Sequence, residues 1–256
     1  MPPSLDALKA TIADGKALLV CGAGVNKAIA GEDAKGRKGL IESAIDEVPK
    51  DLGEDWSAPC KGLLLSRDSD VWLDAADIAQ RRLGGCTGNR YRAWLKKSVG
   101  RLKASEPTLL DAIKALHCRL ATTNYDGLLR AHMVVQAVTW RNPESVAEIL
   151  TSETHDVWHI HGYREDPESV IFANAYYNRV KNSDRAQFLQ HHAAFADTLI
   201  FIGCSADGLA DQNIGKLLEV VKYPCPCQPG RFQYLRTRLT SLPWMRTRSG
   251  PKMRVS

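Results

Sequence analysis

The sequence predicts an α/β protein built on a doubly wound, mostly parallel sheet with a helical insertion. Two runs, residues 17–21 (ALLVC) and 198–203 (TLIFIG), are apolar throughout except for Thr198 at the edge of the second, as strands buried on both faces of a parallel sheet are. They run into turns of glycine and small polar residues, Gly22-Ala23-Gly24-Val25-Asn26 and Cys204-Ser205-Ala206-Asp207-Gly208. Stretches with helical apolar spacing lie between the strand-like runs, and strands alternating with helices give a parallel sheet.

Taken in order, residues 5–13 form a short amphipathic helix ahead of the first strand. Residues 40–48 are helical. Residues 51–70 contain Gly53, Pro59 and Gly62 and are expected to be irregular. Helical spacing returns over residues 71–83, 91–102 and 108–116, broken by Gly84-Gly85-Cys86 and Pro107. This block, about residues 50–116, is a helical insertion between the first two sheet strands, expected to lie over one edge of the crevice. A strand over 119–122 runs into Thr123-Asn124-Tyr125-Asp126, and residues 127–132 make a helix. Residues 134–140 have the pattern of a strand, and Asn142-Pro143 starts a short helix. Residues 157–161 form a strand stopped by Gly162, 168–172 are a further strand candidate, and 184–195 and 209–221 are helical. The core strands are thus 18–21, 119–122, 157–161 and 199–203. Their carboxyl ends are expected to open on one crevice, where ligands bind in open α/β sheets.

A chain of 256 residues buries one substantial core, taken as a single domain over residues 1–221. The formal charge of +5 is concentrated at the end: residues 222–256 hold eight Lys or Arg and no acidic residue. Removing these from the total of 34 leaves 26 basic against 29 acidic residues, a net of −3. The body therefore has no electrostatic mandate to bind nucleic acid, and only the tail does. With Pro224, Pro226, Pro229, Pro243 and Pro251 the tail is expected to pack poorly. No apolar run reaches the ~20 residues of a membrane span, and the first residues lack a signal-peptide core, so a cytoplasmic, non-membrane protein is expected. Seven scattered cysteines argue against a disulfide framework. Only Cys225-Pro226-Cys227 is close, at the wrong spacing for zinc and without a second pair, so no metal is assigned.

Four stretches carry chemistry. Gly22-Ala23-Gly24 between a strand and a helix lets backbone approach a phosphate at the helix N-terminus. Lys27 stands where the third glycine of a dinucleotide fingerprint would be, and taken alone the motif reads first as an ordinary tight turn. In Thr122-Thr123-Asn124-Tyr125-Asp126 an amide and a carboxylate two positions apart suit ribose hydroxyls. The alternative is that Asn124 and Asp126 cap the following helix. In His159-Ile160-His161-Gly162, period two puts Val157, His159 and His161 on one face. His161, last before glycine, lies at the sheet end where ligands bind, and His159 is the buried partner on the strand. Phe201-Ile202-Gly203-Cys204 ends the other buried strand.

In this order the four motifs resemble the SIR2-like domain, the sirtuin-related, Rossmann-like NAD-binding fold of bacterial defence proteins. Val138-Thr139-Trp140, DPESVIF over 166–172 and GLADQN ending at Asn213 are similar to that branch's connecting signatures. The likeness covers roughly residues 18–221. It implies NAD as ligand, with Gly22, Ala23, Gly24 and Val25 at its phosphates and Gly203 and Ser205 at its adenosine half. It implies that Asn124 and His161 are catalytic and that Asp126 serves the nicotinamide ribose. Asn26 stands where sirtuins usually carry serine and is placed with the ligand-binding residues. No cysteine lies between Gly162 and Ile200, so the four-cysteine zinc module of deacetylase sirtuins is absent. Residues 223–240 stand where family members continue into another strand.

The expected activity is therefore cleavage of the nicotinamide–ribose bond of NAD, in anti-phage defence by NAD depletion, with a homo-oligomer or a defence-system protein as possible partner. The alternative from another class is a module that senses NAD or ADP-ribose and acts through a partner; protein deacylation is the third reading.

Overall fold

The computed structural model describes residues 4–49, 56–196, 198–209, 211, 214 and 232–233. The chain opens with α1 (Leu5–Ala13), whose first turn is capped by Ser4 Oγ accepting from the Ala7 N–H. It then enters β1 (Ala17–Cys21), α2 (Ala23–Ala30) and α3 (Arg37–Glu47). Four helices follow before the next strand: α4 (Ser57–Leu63), α5 (Ser69–Arg82), α6 (Asn89–Ser98) and α7 (Thr108–Ala115). After β2 (Arg119–Thr122) come α8 (Leu128–Met133), β3 (Ala137–Thr139), α9 (Pro143–Leu150) and β4 (Val157–His159). The order closes with α10 (Asn174–Lys181), α11 (Asp184–Ala196), β5 (Thr198–Ile202), α12 (Ala206–Leu209) and β6 (Phe232–Gln233).

All the strands pair in parallel, in the order β3-β4-β2-β1-β5-β6. The chain winds outward from β1 through β2, then crosses to the other side of β1 for β5. The winding direction reverses between β1 and β5, and at such a point the loops after the strands part and leave a crevice. β1 shows why its run is apolar throughout. Leu18 and Val20 enter one core with Ala121, Trp158, Leu199 and Phe201, while Ala17, Leu19 and Cys21 enter another with Ile29, Leu120, Val157 and Ile200. A third core holds the insertion together around Ile41, Ala76, Tyr91, Trp94 and Phe172.

Several expectations are corrected. Residues 57–63 are helical, not irregular: Pro59 occupies the first turn, where a missing N–H costs nothing, and Cys60 and Leu64 bury themselves in the insertion core. Residues 168–172 form no strand. Val170 and Phe172 are apolar because they fill that same core, and the segment's link to the sheet end is the Ile171 N–H donated to the His161 carbonyl. β4 ends at His159, two residues early, because Gly162 turns the chain at φ +91° and its N–H returns to the His159 carbonyl. Of the helix expected over 209–221 only Leu209, the last residue of α12, Asp211 and Ile214 are described, and the remainder, with Asn213, lies outside the described residues. In the tail, Phe232 and Gln233 pair with Leu199 and Ile200 as a sixth strand that sequence reading did not see. The rest of the tail lies outside the described residues. No helix among the described residues is long and apolar enough to cross a membrane.

Candidate active site

Three turns meet at the carboxyl ends of β1, β2 and β5. The turn after β1 packs against the turn after β5: Gly24 donates its N–H to the Gly203 carbonyl at 2.7 Å, and Gly22 donates to Ile202 at 2.8 Å. Gly203 has φ +68°, and a Cβ there would lie 2.4 Å from the Val25 nitrogen. The glycines of both motifs are thus required first by this fit of turn to turn.

A cavity of about 610 Å³ opens over them, within the range of small-ligand sites. Gly22, Ala23, Gly24, Asn26, Asn124, Asp126, His161, Gly203 and Ser205 all line it. Of the candidate catalytic and ligand-binding residues, Val25 alone is elsewhere: it is 2% exposed and its side chain packs into the core with Ile29 and Leu120. His161 lies past the end of β4 at the cavity, whereas His159 is fully buried behind it. The insertion covers one side with Trp72, Val99 and Leu102.

Asn124 is held from several directions. Its Nδ2 donates to the Gly22 carbonyl at 3.1 Å and to Asn26 Oδ1 at 3.0 Å. Asn26 Nδ2 in turn donates to Asp126 Oδ2. A backbone carbonyl and a carboxylate only accept, so the orientation of both amides follows from the network. With both of its amide hydrogens engaged, Asn124 keeps its Oδ1 as the acceptor for a ligand. The backbone is held too: the Asn124 N–H donates to Thr122 Oγ1 and its carbonyl accepts from His159 Nδ1 at 2.9 Å. Asn26, the residue that departs from the sirtuin pattern, is therefore a brace between Asn124 and Asp126.

Asp126 serves two ends. Its Oδ1 accepts the Leu128 N–H at 2.9 Å, so the helix-capping reading holds for this residue, while Oδ2 takes Asn26. Burial raises its carboxyl above the usual range, opposed by these two hydrogen bonds and by the charge of Arg164. Asn124 caps nothing.

His159 and His161 sit in different surroundings. Burial pushes His159 down from 6.5 to about 4, against the Asn124 carbonyl that favours the proton; the Arg130 charge lowers it further. It is a neutral ring donating from Nδ1. His161 faces Asp211, with Nε2 3.2 Å from Oδ1, off the line of a well-aligned hydrogen bond. Asp211 is 2% exposed, and its Oδ2 accepts from Arg37 and from the Tyr177 hydroxyl.

Sequence reading quoted Asp211 within the GLADQN stretch but gave it no role, and passed over Arg37 and Tyr177. Arg37 had a local signal, since Lys35-Gly36-Arg37-Lys38 follows a strand–turn–helix unit. Lys27, Lys35, Arg37 and Lys38 line the cavity against the carboxylates of Asp126 and Asp211, a balance that suits an anionic ligand. Cys204 also lines it, but burial pushes its thiol up to about 12, so it is a neutral wall and not a nucleophile. Among the described residues no group of three or more His, Cys, Asp or Glu side chains is placed to hold a metal ion.

Sheet and cavity define an open parallel α/β protein with its ligand crevice at the switch of winding direction. Residues 119–239 match the family model of the SIR2-like domain. Over that span, just under half of the chain, it is similar to the SIR2-like domain, in agreement with its motifs, and the likeness suggests an NAD-related function. The matched span begins at β2 and takes in Asn124, Asp126, His161, Gly203 and Ser205, while the Gly22 turn lies ahead of it. No curated protein matches the chain.

Proposed function

We propose that the protein hydrolyses NAD at the bond between ribose and nicotinamide, releasing nicotinamide and ADP-ribose. The observation that carries this reading is the single cavity lined by Asn124, His161 and both glycine turns. The reaction needs a positioned water and stabilisation of an oxocarbenium-like ribose, since nicotinamide leaves as a neutral molecule. In this reading the Oδ1 of Asn124 orients the water or a ribose hydroxyl, and His161 takes the proton as general base. Asp126 stands at the nicotinamide ribose. The Gly22 turn and the lysines around it serve the diphosphate, and Gly203 and Ser205 serve the adenosine.

The resemblance to defence proteins supports NAD depletion during phage infection as the setting. Protein deacylation has less support, because residues 163–199 hold no cysteine for a zinc module. The test is to incubate purified protein with NAD and separate the products by chromatography. Nicotinamide and ADP-ribose should appear in equal amounts. Binding of NAD without release of nicotinamide, in any oligomeric form, would replace hydrolysis with sensing.

A further inference from the structure

We propose that Asp211 is a positioning residue for His161: its carboxylate keeps the imidazole protonated on Nε2 and so leaves Nδ1 as the nitrogen that takes a proton. The mechanistic half of this inference rests on the NAD-cleavage reading; the assignment of the ring does not. Three facts support it. Asp211 Oδ1 faces Nε2 at 3.2 Å, while Oδ2 is occupied by Arg37 and the Tyr177 hydroxyl. The carboxylate is almost wholly buried and ion-paired with Arg37, itself only partly exposed. The Tyr177 ring stands edge-on to His161 with centroids 6.3 Å apart, and the His161 carbonyl is fixed by the Ile171 N–H. An ionised carboxylate only accepts, so the ring nitrogen turned toward it carries hydrogen.

The consequence is a division of labour in the imidazole. Nδ1 takes a proton from the attacking water as the water oxygen bonds to the ribose carbon. Nicotinamide departs with the electron pair of the broken C–N bond. The imidazolium that forms keeps its Nε2–H against Asp211 and then passes the other proton to solvent, so the products are nicotinamide, ADP-ribose and a proton. A buried carboxylate behind a histidine fixes tautomer and stabilises the transient cation without itself being protonated.

Asp211→Asn makes a sharp test. Arg37 still demands an acceptor at the Oδ2 position, so the new amide turns its oxygen there and its NH2 toward Nε2. The ring must then accept at Nε2 and carry hydrogen on Nδ1, the wrong tautomer for the base. Full-length protein labelled with ¹⁵N-histidine, with the His161 signals assigned through His161→Gln, reads the tautomer from long-range proton–nitrogen correlations. Wild type is expected to show Nε2–H with bare Nδ1, and Asp211→Asn the reverse. The same variant should lose ~100- to 10,000-fold in kcat with KM within about threefold. Tyr177→Phe, which keeps the charge pair, should retain the wild-type tautomer. Wild type found with hydrogen on Nδ1, or an active wild type whose kcat survives Asp211→Asn, overturns the proposal. A wild type with the Nε2–H ring that flips in Asp211→Asn but never releases nicotinamide rejects NAD hydrolysis and leaves the Asp211–His161 assignment standing.

Discussion

His159 Nδ1 lies 2.9 Å from the carbonyl oxygen of Asn124. The first histidine of His159-Ile160-His161-Gly162 therefore holds the loop that carries the amide, while the second reaches the cavity. Because a carbonyl only accepts, the His159 ring must be protonated at Nδ1, and its full burial keeps it neutral.

That arrangement sets a pH dependence. The unfolded chain protonates this histidine below 6.5, whereas the folded one resists until about 4. The unfolded state binds the proton first, so stability is fully present above 6.5 and falls as pH drops toward 4. The window is worth roughly 3 kcal/mol. In His159→Asn the amide NH2 takes the place of Nδ1 as donor and nothing titrates. Unfolding midpoints measured from pH 7 to 4 should fall steeply in wild type and by roughly 3 kcal/mol less in the variant. Equal slopes would mean that the folded ring is not held neutral.

Asn26 joins Asn124 to Asp126, so Asn26→Ala leaves the half-buried Asn124 and the buried Asp126 each one partner short. Denaturant unfolding should show a loss of roughly 1–3 kcal/mol. Turnover of NAD should fall by at least about tenfold, with a smaller change in NAD affinity, because a loosened amide affects the reacting end of the ligand most. A variant with wild-type turnover would show that Asn124 needs no brace.

Gly162 sits at φ +91°, and a Cβ there would lie 2.2 Å from the Ser169 carbonyl oxygen. Gly162→Ala should destabilise the protein by roughly 2–4 kcal/mol, from backbone strain and overpacking together. Because this turn places His161, activity should fall even in molecules that remain folded. Urea unfolding and turnover measured on the same preparation check both statements.

The sheet was legible where burial on two faces writes itself into the sequence. The apolar runs of β1 and β5 have no polar residue to spare, and the glycine turns beyond them mark where the strands stop. Residues 168–172 misled for the same reason: Val170, Ile171 and Phe172 are as apolar as a strand, but they fill the insertion cores beside Trp94 and Tyr176. The helix α4 was hidden by Pro59, harmless only because it falls in a first turn. Of the site, the residues near strand ends could be read, since topology alone brings Gly22, Asn124, His161 and Gly203 together. Asp211 could not. Its partners Arg37, His161 and Tyr177 are distant in sequence, and no local spacing records such a meeting.

The most direct test of hydrolysis at this crevice is the rate of nicotinamide release from NAD by wild type, His161→Ala and Asn124→Ala, with NAD binding measured by calorimetry alongside. In the proposed binding mode most of the contacts would come from the diphosphate and adenosine ends, and the two side chains would act on the reacting bond. Wild type should release nicotinamide, and each variant should lose ~100- to 10,000-fold in turnover while still binding NAD. Variants that release nicotinamide at the wild-type rate, or a wild type that binds NAD and never releases it, would contradict the assignment of Asn124 and His161 to this chemistry.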